Sequence, residues 1–115
     1  MLDWNGYRQQ ISAGVSTLGK LSPDTVRGYV TMNAAGQKTG HFDEKMRELI
    51  AVAVAISLRC DGCITVHTEA ARRLGASKGE IAEAMGVAIG VNAGAAIIYA
   101  TRTLDAFDAA EEAAE

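Results

Sequence analysis

The sequence predicts an all-α protein, organised as one domain over residues 1–115. Apolar residues recur at helical spacing in most segments, and no segment is convincing as a strand. Helix-start signals also recur along the chain. The clearest are Ser22-Pro23, with proline at the first helical position, and the capping box formed by Ser77 and Glu80. Together these observations predict about six helices.

Three helices are predicted before the segment that contains the cysteines. Residues 3–18 form a weak amphipathic pattern, and residues 22–35 follow the Ser-Pro start signal. Asp43 caps the third helix, in which residues 49–56 are apolar on every face. Such a helix is expected to be buried on all sides, and a fully buried strand is the competing interpretation. The alanines in this run and its uninterrupted continuation from Asp43 favour the helix.

Three more helices are predicted from the cysteine segment onward. Residues 62–74 form the fourth helix, which is expected to end at Gly75 in a left-handed cap. Ser77 opens the fifth helix, and a turn is expected at residues 92–94, where asparagine and glycine lie close together. A sixth helix then covers residues 95–110.

The composition favours a domain that associates with copies of itself. Hydrophobic residues make up 49% of the chain, and there are also 12 glycine residues. This apolar content is above that of an ordinary small domain. The net charge of −3 is too small to indicate a strongly acidic or basic partner. No basic patch with interleaved aromatic residues is present. We therefore expect a homo-oligomer that does not bind nucleic acid.

The N-terminus has neither the basic region nor the long apolar run of an export signal. The longest uncharged stretch, residues 84–101, only reaches the lower length limit of a membrane span and is interpreted as core. Its glycines do not follow a strand, so they do not indicate a phosphate-binding loop. The sequence thus predicts a cytoplasmic protein that needs neither a membrane nor a cofactor.

The chemically reactive residues are concentrated in the segment Cys60-Asp-Gly-Cys63-Ile-Thr-Val-His67. At about 100° per residue, Cys60, Cys63 and His67 fall within an arc of about 60°. The positive end of a helix favours thiolate over thiol. Helical residues three apart are too distant for a disulfide, so a bond requires an opened first turn, which Gly62 permits. The segment therefore predicts a reversible Cys60–Cys63 disulfide.

Other interpretations of the two cysteines remain open. Cys-x2-Cys is also zinc-ligand spacing, although His67 and His41 would then have to complete the ligand set. Two buried, inert cysteines are a further alternative. A structural disulfide is not expected in a chain without export features. Haem attachment is excluded because Ile64, and not histidine, follows Cys63. Redox chemistry without a bound metal is the favoured interpretation.

Glu48 precedes Cys60 by twelve residues, and with Cys63 and His67 it completes a pattern that resembles a known group. That group is the alkylhydroperoxidase AhpD-like group of the carboxymuconolactone decarboxylase superfamily. The resemblance covers roughly residues 42–107. It is supported by the Leu-Gly-Ala-Ser-x-x-Glu-Ile turn and by Tyr-Ala-Thr-Arg near the end of that range.

The resemblance implies an all-helical, AhpD-like domain that assembles as a trimer or hexamer. It also implies a thiol peroxidase in which Cys63 attacks the peroxide and Cys60 resolves the sulfenic acid. Glu48 and His67 would form the proton relay, and a lipoyl or thioredoxin-like dithiol protein would be the reductant. The alternative within the superfamily is a decarboxylase-like enzyme that uses Glu48 and His67 without redox turnover. Without the resemblance, Glu48 is interpreted as a surface acid near the start of a helix.

Two details of the motif differ from what the resemblance implies. The founding peroxidase of the group has a histidine directly before its second cysteine, where this chain has Gly62. In addition, the more N-terminal thiol of a helix is expected to be the more acidic, which favours Cys60 as the nucleophile. The resemblance favours Cys63, and His67 lies one helical turn from Cys63. We therefore expect Cys63 to be the nucleophile.

Overall fold

The structure is a computed structural model that describes all 115 residues, 1–115. It confirms the all-α prediction, since it contains five helices and no strand. In chain order these are α1 (Trp4–Leu21), α2 (Pro23–Thr39), α3 (Glu44–Ser57), α4 (Asp61–Arg73) and α5 (Lys78–Ala114). Two predicted caps form: Asp43 accepts the amide of Met46 at 2.8 Å, and Ser77 and Glu80 make the reciprocal capping box. Pro23 is at the start of α2 as predicted, but Ser22 makes no side-chain cap bond, because its hydroxyl bonds that of Thr25 at 2.7 Å.

Helix α3 is the centre of the fold, because both α4 and α5 pack against it. Lys45 pairs with Glu80 at one end of α3, and Ser57 accepts a hydrogen bond from Asn92 at the other end. Helices α3 and α5 therefore run parallel. Helix α4 is antiparallel to both of them, as the short turn after α3 requires. The buried core is small and consists of Leu49, Val52, Ala55, Thr65, Ala71 and Ala88.

Burial of α3 on all sides is not found within the single chain. One face of the apolar run is buried, but Ile50 and Val54 remain 44% and 51% exposed. The helix itself is confirmed over this run, and the strand interpretation is wrong. The exposed part of α3 is continuous with an apolar groove against α5, to which Met46 and Val87 also contribute.

The α1–α2 hairpin is attached to the rest of the fold through α1, which packs on α4. Neither α1 nor α2 contains a fully buried residue. The attachment is partly polar, because the buried hydroxyl of Thr65 donates to the carbonyl of Trp4 at 3.0 Å. Arg8 donates to the same hydroxyl at 3.4 Å. These bonds fix the start of α1 beside the first turns of α4.

Helix α5 continues without interruption through the turn expected at residues 92–94, so the prediction of separate fifth and sixth helices is wrong. The amide of Asn92 donates to the carbonyl of Ala88 at 2.7 Å and to the hydroxyl of Ser57 at 2.8 Å. These partners hold the asparagine inside the helix. No close neighbour or positive φ requires glycine at Gly94. The Asn92 and Gly94 pair, which is typical of a turn, therefore stays helical, and Asn92 bonds Ser57 of α3.

The C-terminal half of α5 has no cover within the chain, since every residue from 95 to 115 is exposed. Only 6% of the most apolar 18-residue window of α5 is buried. By length and composition alone, α5 could cross a membrane, although such a test is also passed by core helices of soluble proteins. The expectation that the protein does not need a membrane remains a prediction.

Candidate active site

Cys60 and Cys63 form a disulfide at the start of α4, with their Cα atoms 5.2 Å apart. Cys60 is the N-cap residue and has an extended backbone, with φ −97° and ψ 95°. Its Sγ accepts the backbone N–H of Cys63 at 3.1 Å. The bond closes because Cys60 lies just outside the helix, whereas two residues at helical positions three apart would be too distant. Both cysteines are only partly exposed.

Gly62 has a different role from the one expected of it. It lies within α4, and the extended residue that allows the bond is Cys60. A methyl group at residue 62 would lie 3.1 Å from Cδ1 of Ile11 and 3.9 Å from the hydroxyl of Tyr7. Gly62 therefore permits the close approach of α1 and does not serve to open the helical turn. A side chain at this position would force the Ile11 side chain of α1 to shift.

Arg59 is a residue that the sequence reasoning missed. It is the only non-glycine residue with positive φ, at 53°, a conformation that costs an L-residue roughly 1–2 kcal/mol. Its amide donates to the carbonyl of Ile56, and the amide of Cys60 donates to that of Ala55. This left-handed turn ends α3 and places Cys60 at the N-cap of α4. A left-handed residue at the end of a helix is usually glycine. Because this chain has arginine there, the sequence did not indicate the turn.

Glu48 and His67 are brought together by the packing of α3 against α4. The Oε2 atom of Glu48 lies 2.7 Å from Nδ1 of His67, and the two side chains are 26% and 25% exposed. His67 lies one turn after Cys63 on the same helix. The interpretation of Glu48 as an isolated surface acid is therefore wrong. With Nδ1 turned to the carboxylate, Nε2 is the ring atom left to meet a thiol or a substrate.

Two ion pairs lie near the site, one within α4 and one between α3 and α5. The Arg72 guanidinium donates to both carboxylate oxygens of Glu69, at 2.9 and 3.0 Å, and it lowers the pKa of that carboxyl. The hydrogen bond from Lys45 lowers the pKa of Glu80, and Glu80 in turn raises the pKa of Lys45. Neither pair includes Glu48 or His67. The Glu48–His67 pair thus shares no residue with either ion pair.

An open cleft of about 510 Å³ lies beside the Glu48–His67 pair, between α2 and the α3–α4 hairpin. Its lining combines five apolar side chains with amides, acids and arginines. Of these residues, only Glu48 and His67 were predicted from the sequence to belong to a functional site. The lining residues are Asn33, Gln37, Glu44, Arg47, Glu48, Ile50, Ala51, Val66, His67, Ala70, Arg73 and Leu74. The cysteines do not line the cleft, which begins one turn further along α4.

The zinc interpretation would require the sulfurs and at least one histidine to converge. The sulfurs are instead joined in a disulfide, and Nδ1 of His67 faces Glu48. His41 lies in an exposed bend between α2 and α3. No group of three or more His, Cys, Asp or Glu side chains has an arrangement suited to a metal ion. The site thus consists of a disulfide at the start of α4 and an acid–histidine pair one turn further along.

The chain is similar in sequence to a known protein family and to several bacterial proteins. A family model described as the carboxymuconolactone decarboxylase family matches residues 23–112. An uncharacterized protein of Haemophilus influenzae is 41% identical over 105 residues, which cover 91% of this chain and 93% of that protein. A protein of Cupriavidus necator is 31% identical over 100 residues, covering 87% and 88% of the two chains. Helix α1 lies outside the residues that the family model matches.

Solved structures give the same result for the fold. A carboxymuconolactone decarboxylase family protein of Legionella pneumophila, crystallised in its apo form, superposes with a TM-score of 0.73. It is 30% identical, and the match covers 91% of this chain and 94% of that one. A protein from Methanobacterium thermoautotrophicum matches with a TM-score of 0.70 and 30% identity, over 77% of this chain and 97% of its own.

Proposed function

Because the chain belongs to the carboxymuconolactone decarboxylase family, we propose that it is a thiol peroxidase of the AhpD-like type. The observation that carries this proposal is the Glu48–His67 hydrogen bond, which lies one turn from a Cys60–Cys63 disulfide on the same helix. A disulfide beside a general base is the oxidised product expected of a dithiol that reduces peroxide. Decarboxylation does not need such a pair of cysteines.

In the oxidative half-reaction, the Cys63 thiolate attacks one oxygen of a hydroperoxide. A sulfur–oxygen bond forms, the oxygen–oxygen bond breaks, and the alkoxide leaves as an alcohol after taking a proton. The Cys60 thiolate then attacks the sulfur of the Cys63 sulfenic acid. The disulfide forms, and hydroxide leaves and is protonated to water. The peroxide gains two electrons and the cysteine pair loses two.

His67 supplies the proton transfer that both steps need. Its Nε2 accepts the thiol proton of Cys63 and returns it to the leaving alkoxide. Glu48 holds Nδ1 and stabilises the imidazolium that forms in between, as the acid does in other acid–histidine pairs. The pair is about three-quarters buried, so its side chains are held in place and not freely solvated. Glu48 acts through His67 and is a positioning residue.

The reductive half-reaction uses a dithiol protein of the lipoyl or thioredoxin-like class. The backbone N–H of Cys63 points at Sγ of Cys60, so negative charge on that sulfur is stabilised at the start of α4. The better-stabilised thiolate is the better leaving group in exchange. The reductant thiolate therefore attacks Cys63 and releases Cys60. The second reductant thiol then closes its own disulfide and releases Cys63.

A decarboxylase-like function is the second candidate. It is favoured by one observation, namely that the cleft is lined by Glu48 and His67 but not by the cysteines. In that function the acid–histidine pair would move a proton on a ligand in the cleft, and the disulfide would be structural. Turnover would then be independent of the redox state of Cys60 and Cys63.

We also propose that the protein is a homo-oligomer, a trimer or hexamer, in the cytoplasm. Along α5, Ala93, Ile97, Ala100, Leu104 and Phe107 are spaced by four, three, four and three residues, which is the heptad spacing of a helix–helix seam. All five are exposed, and the three large side chains are 62–71% exposed. A second copy of the chain supplies the cover that this seam lacks.

The test of the function is peroxide consumption by the purified protein. Dihydrolipoyl protein, thioredoxin and glutathione are offered in turn, and we expect turnover with at least one dithiol protein. The matched control is the same assay after alkylation of the reduced cysteines, which should abolish consumption. No consumption with any reductant, although Cys60 and Cys63 are reduced, would contradict the proposal and favour the decarboxylase-like function.

A further inference from the structure

The cleft beside Glu48 and His67 has features that peroxide reduction by itself does not require. We propose that it binds an amphipathic carboxylic acid, so that the preferred substrate is a long-chain hydroperoxide with a terminal carboxylate. The proposal rests on the proposed function, because it names the substrate class of the same site. A cleft of about 510 Å³ is within the usual size range of small-molecule sites, about 300–1,000 Å³.

Arg73 is the group that recognises the carboxylate. Its only ion-pair partner is Glu69, whose Oε1 lies 3.6 Å from Nε of Arg73. Both oxygens of Glu69 already accept shorter hydrogen bonds from Arg72, at 2.9 and 3.0 Å. The Arg73 side chain is 68% exposed and lines the cleft. Its guanidinium therefore has donors free for a bidentate bond to an incoming carboxylate.

Arg47, the other arginine of the cleft, has a different role. Its Nη1 donates to the carbonyl of Phe42 at 2.5 Å and to that of Gly36 at 3.5 Å. A methyl group at residue 36 would lie 2.7 Å from Cδ of Arg47, so α2 and this side chain are in close contact. Arg47 thus fixes the wall that α2 forms, and Arg73 is left as the exposed cation of the cleft.

The body of the ligand lies along an apolar strip, which is the apolar part of the cleft wall that α3 and α4 form. Five apolar side chains from α3 and α4 form this strip: Ile50, Ala51, Val66, Ala70 and Leu74. The amides of Asn33 and Gln37 face them from α2. An alkyl chain removes this strip from water, whereas a compact peroxide would leave it exposed. The strip therefore favours a chain over a small substrate.

The positions of Cys63 and Arg73 set the length of the ligand. They are ten residues apart on α4, which corresponds to about 15 Å along the helix axis. Cys63 lies one turn outside the cleft, so a hydroperoxide whose carboxylate meets Arg73 must extend past Val66 to reach the thiol. The long Arg73 side chain shortens the span, but a hydroperoxide of only a few carbons would still meet only one of the two groups, and a neutral one loses the ion pair. The site should therefore select for both chain length and negative charge.

The binding test uses decanoate, with methyl decanoate as the uncharged control, and measures dissociation constants by calorimetry on the oxidised protein. We expect decanoate to bind about tenfold more tightly than the ester, because only the acid pairs with Arg73. Arg73→Gln should remove this preference and Arg73→Lys should restore part of it. The control variant Arg27→Gln removes an equal charge from the first turns of α2, away from the cleft, and should keep the preference for decanoate over the ester. Equal binding of acid and ester by the wild-type protein would overturn the proposal.

The turnover test separates this proposal from the proposed function. The ratio of kcat/KM for a hydroperoxide of decanoic acid to that for its methyl ester should fall about tenfold in Arg73→Gln. If neither hydroperoxide is consumed but decanoate still binds with charge preference, the peroxidase function fails and the site stands. If both are consumed equally and decanoate does not bind, the function stands and the site fails.

Discussion

The α3–α4 hairpin and the C-terminal half of α5 are both rich in small apolar residues, yet their environments are opposite. The hairpin contains five of the six buried residues, Leu49, Val52, Ala55, Thr65 and Ala71. The C-terminal half of α5 extends about 33 Å beyond Asn92 without a buried residue. It contains one cation–π contact, in which the Arg102 guanidinium lies 4.8 Å from the centre of the Tyr99 ring on the same helix.

The difference shows which parts of the protein are complete within one chain. All four proposed site residues lie on the hairpin or at its turn, and their contacts are intramolecular. The exposed seam of α5 has no intramolecular partner. Chemistry should therefore depend on single side chains of the hairpin, and assembly should depend on single side chains of α5.

The largest effect is expected from Cys63→Ser, which removes the nucleophile. Peroxide turnover should fall by about 10³-fold or more, while the helix content by circular dichroism stays at the wild-type level. Cys60→Ser is the matched variant. It should retain one round of peroxide reduction and accumulate a Cys63 sulfenic acid, detectable by trapping and intact mass. The reverse pattern would mean that Cys60, the residue at the N-cap, is the nucleophile.

A smaller loss is expected from Glu48→Gln, which keeps the shape of the side chain and removes its charge. Turnover should fall by about 10²-fold, because His67 loses the carboxylate that orients its ring and stabilises the imidazolium formed during proton transfer. Glu83→Gln, at an exposed carboxyl on α5, serves as the control. A wild-type rate in Glu48→Gln would show that the pair is structural.

Assembly should respond to Ile97→Glu but not to Ile98→Glu. The two isoleucines are 71% and 72% exposed, but they point about 100° apart on α5, and only Ile97 belongs to the heptad seam. Multi-angle light scattering should show a trimer or hexamer for the wild type and Ile98→Glu, and a monomer for Ile97→Glu. Monomeric wild-type protein at micromolar concentration, or partition of α5 into lipid vesicles, would contradict the proposed self-association.

The smallest effect concerns the Lys45–Glu80 pair, which joins α3 to α5. The hydrogen bond from Lys45 lowers the pKa of Glu80, so the pair stabilises the fold above the unfolded pKa of about 4.3. This stabilisation is lost as the pH falls through the lower, folded pKa. Glu80→Gln keeps the acceptor for Ser77 in the capping box but removes the charge.

The difference in melting temperature between wild type and Glu80→Gln should therefore be present at neutral pH and disappear under acid conditions. It should amount to a few degrees at most, because the pair is partly solvated, and should shrink at high salt. A difference that persists at pH 2 would assign the effect to the capping box and not to the ion pair.

Local sequence signals were sufficient where the interactions that form an element are themselves local. The start of α3 at Asp43 and the start of α5 at Ser77 each depend on bonds across three residues, and both were predicted. The Cys60–Cys63 pairing also spans three residues. The pairing of Glu48 with His67 could be expected only from the family resemblance, because nothing local brings α3 against α4.

Tertiary structure decided the features that depend on distant partners. Asn92 has the composition of a turn residue, but its bond to Ser57, 35 residues away, holds it inside α5. The cleft exists because α2 stands beside a hairpin that follows it in sequence. The left-handed Arg59 is a different case, because its turn is closed by backbone bonds to residues 55 and 56 and was missed only for want of a glycine. Short-range patterns record the hydrogen bonds of a helix turn, whereas the Asn92 bond and the cleft arise from side chains that meet only after the helices have packed.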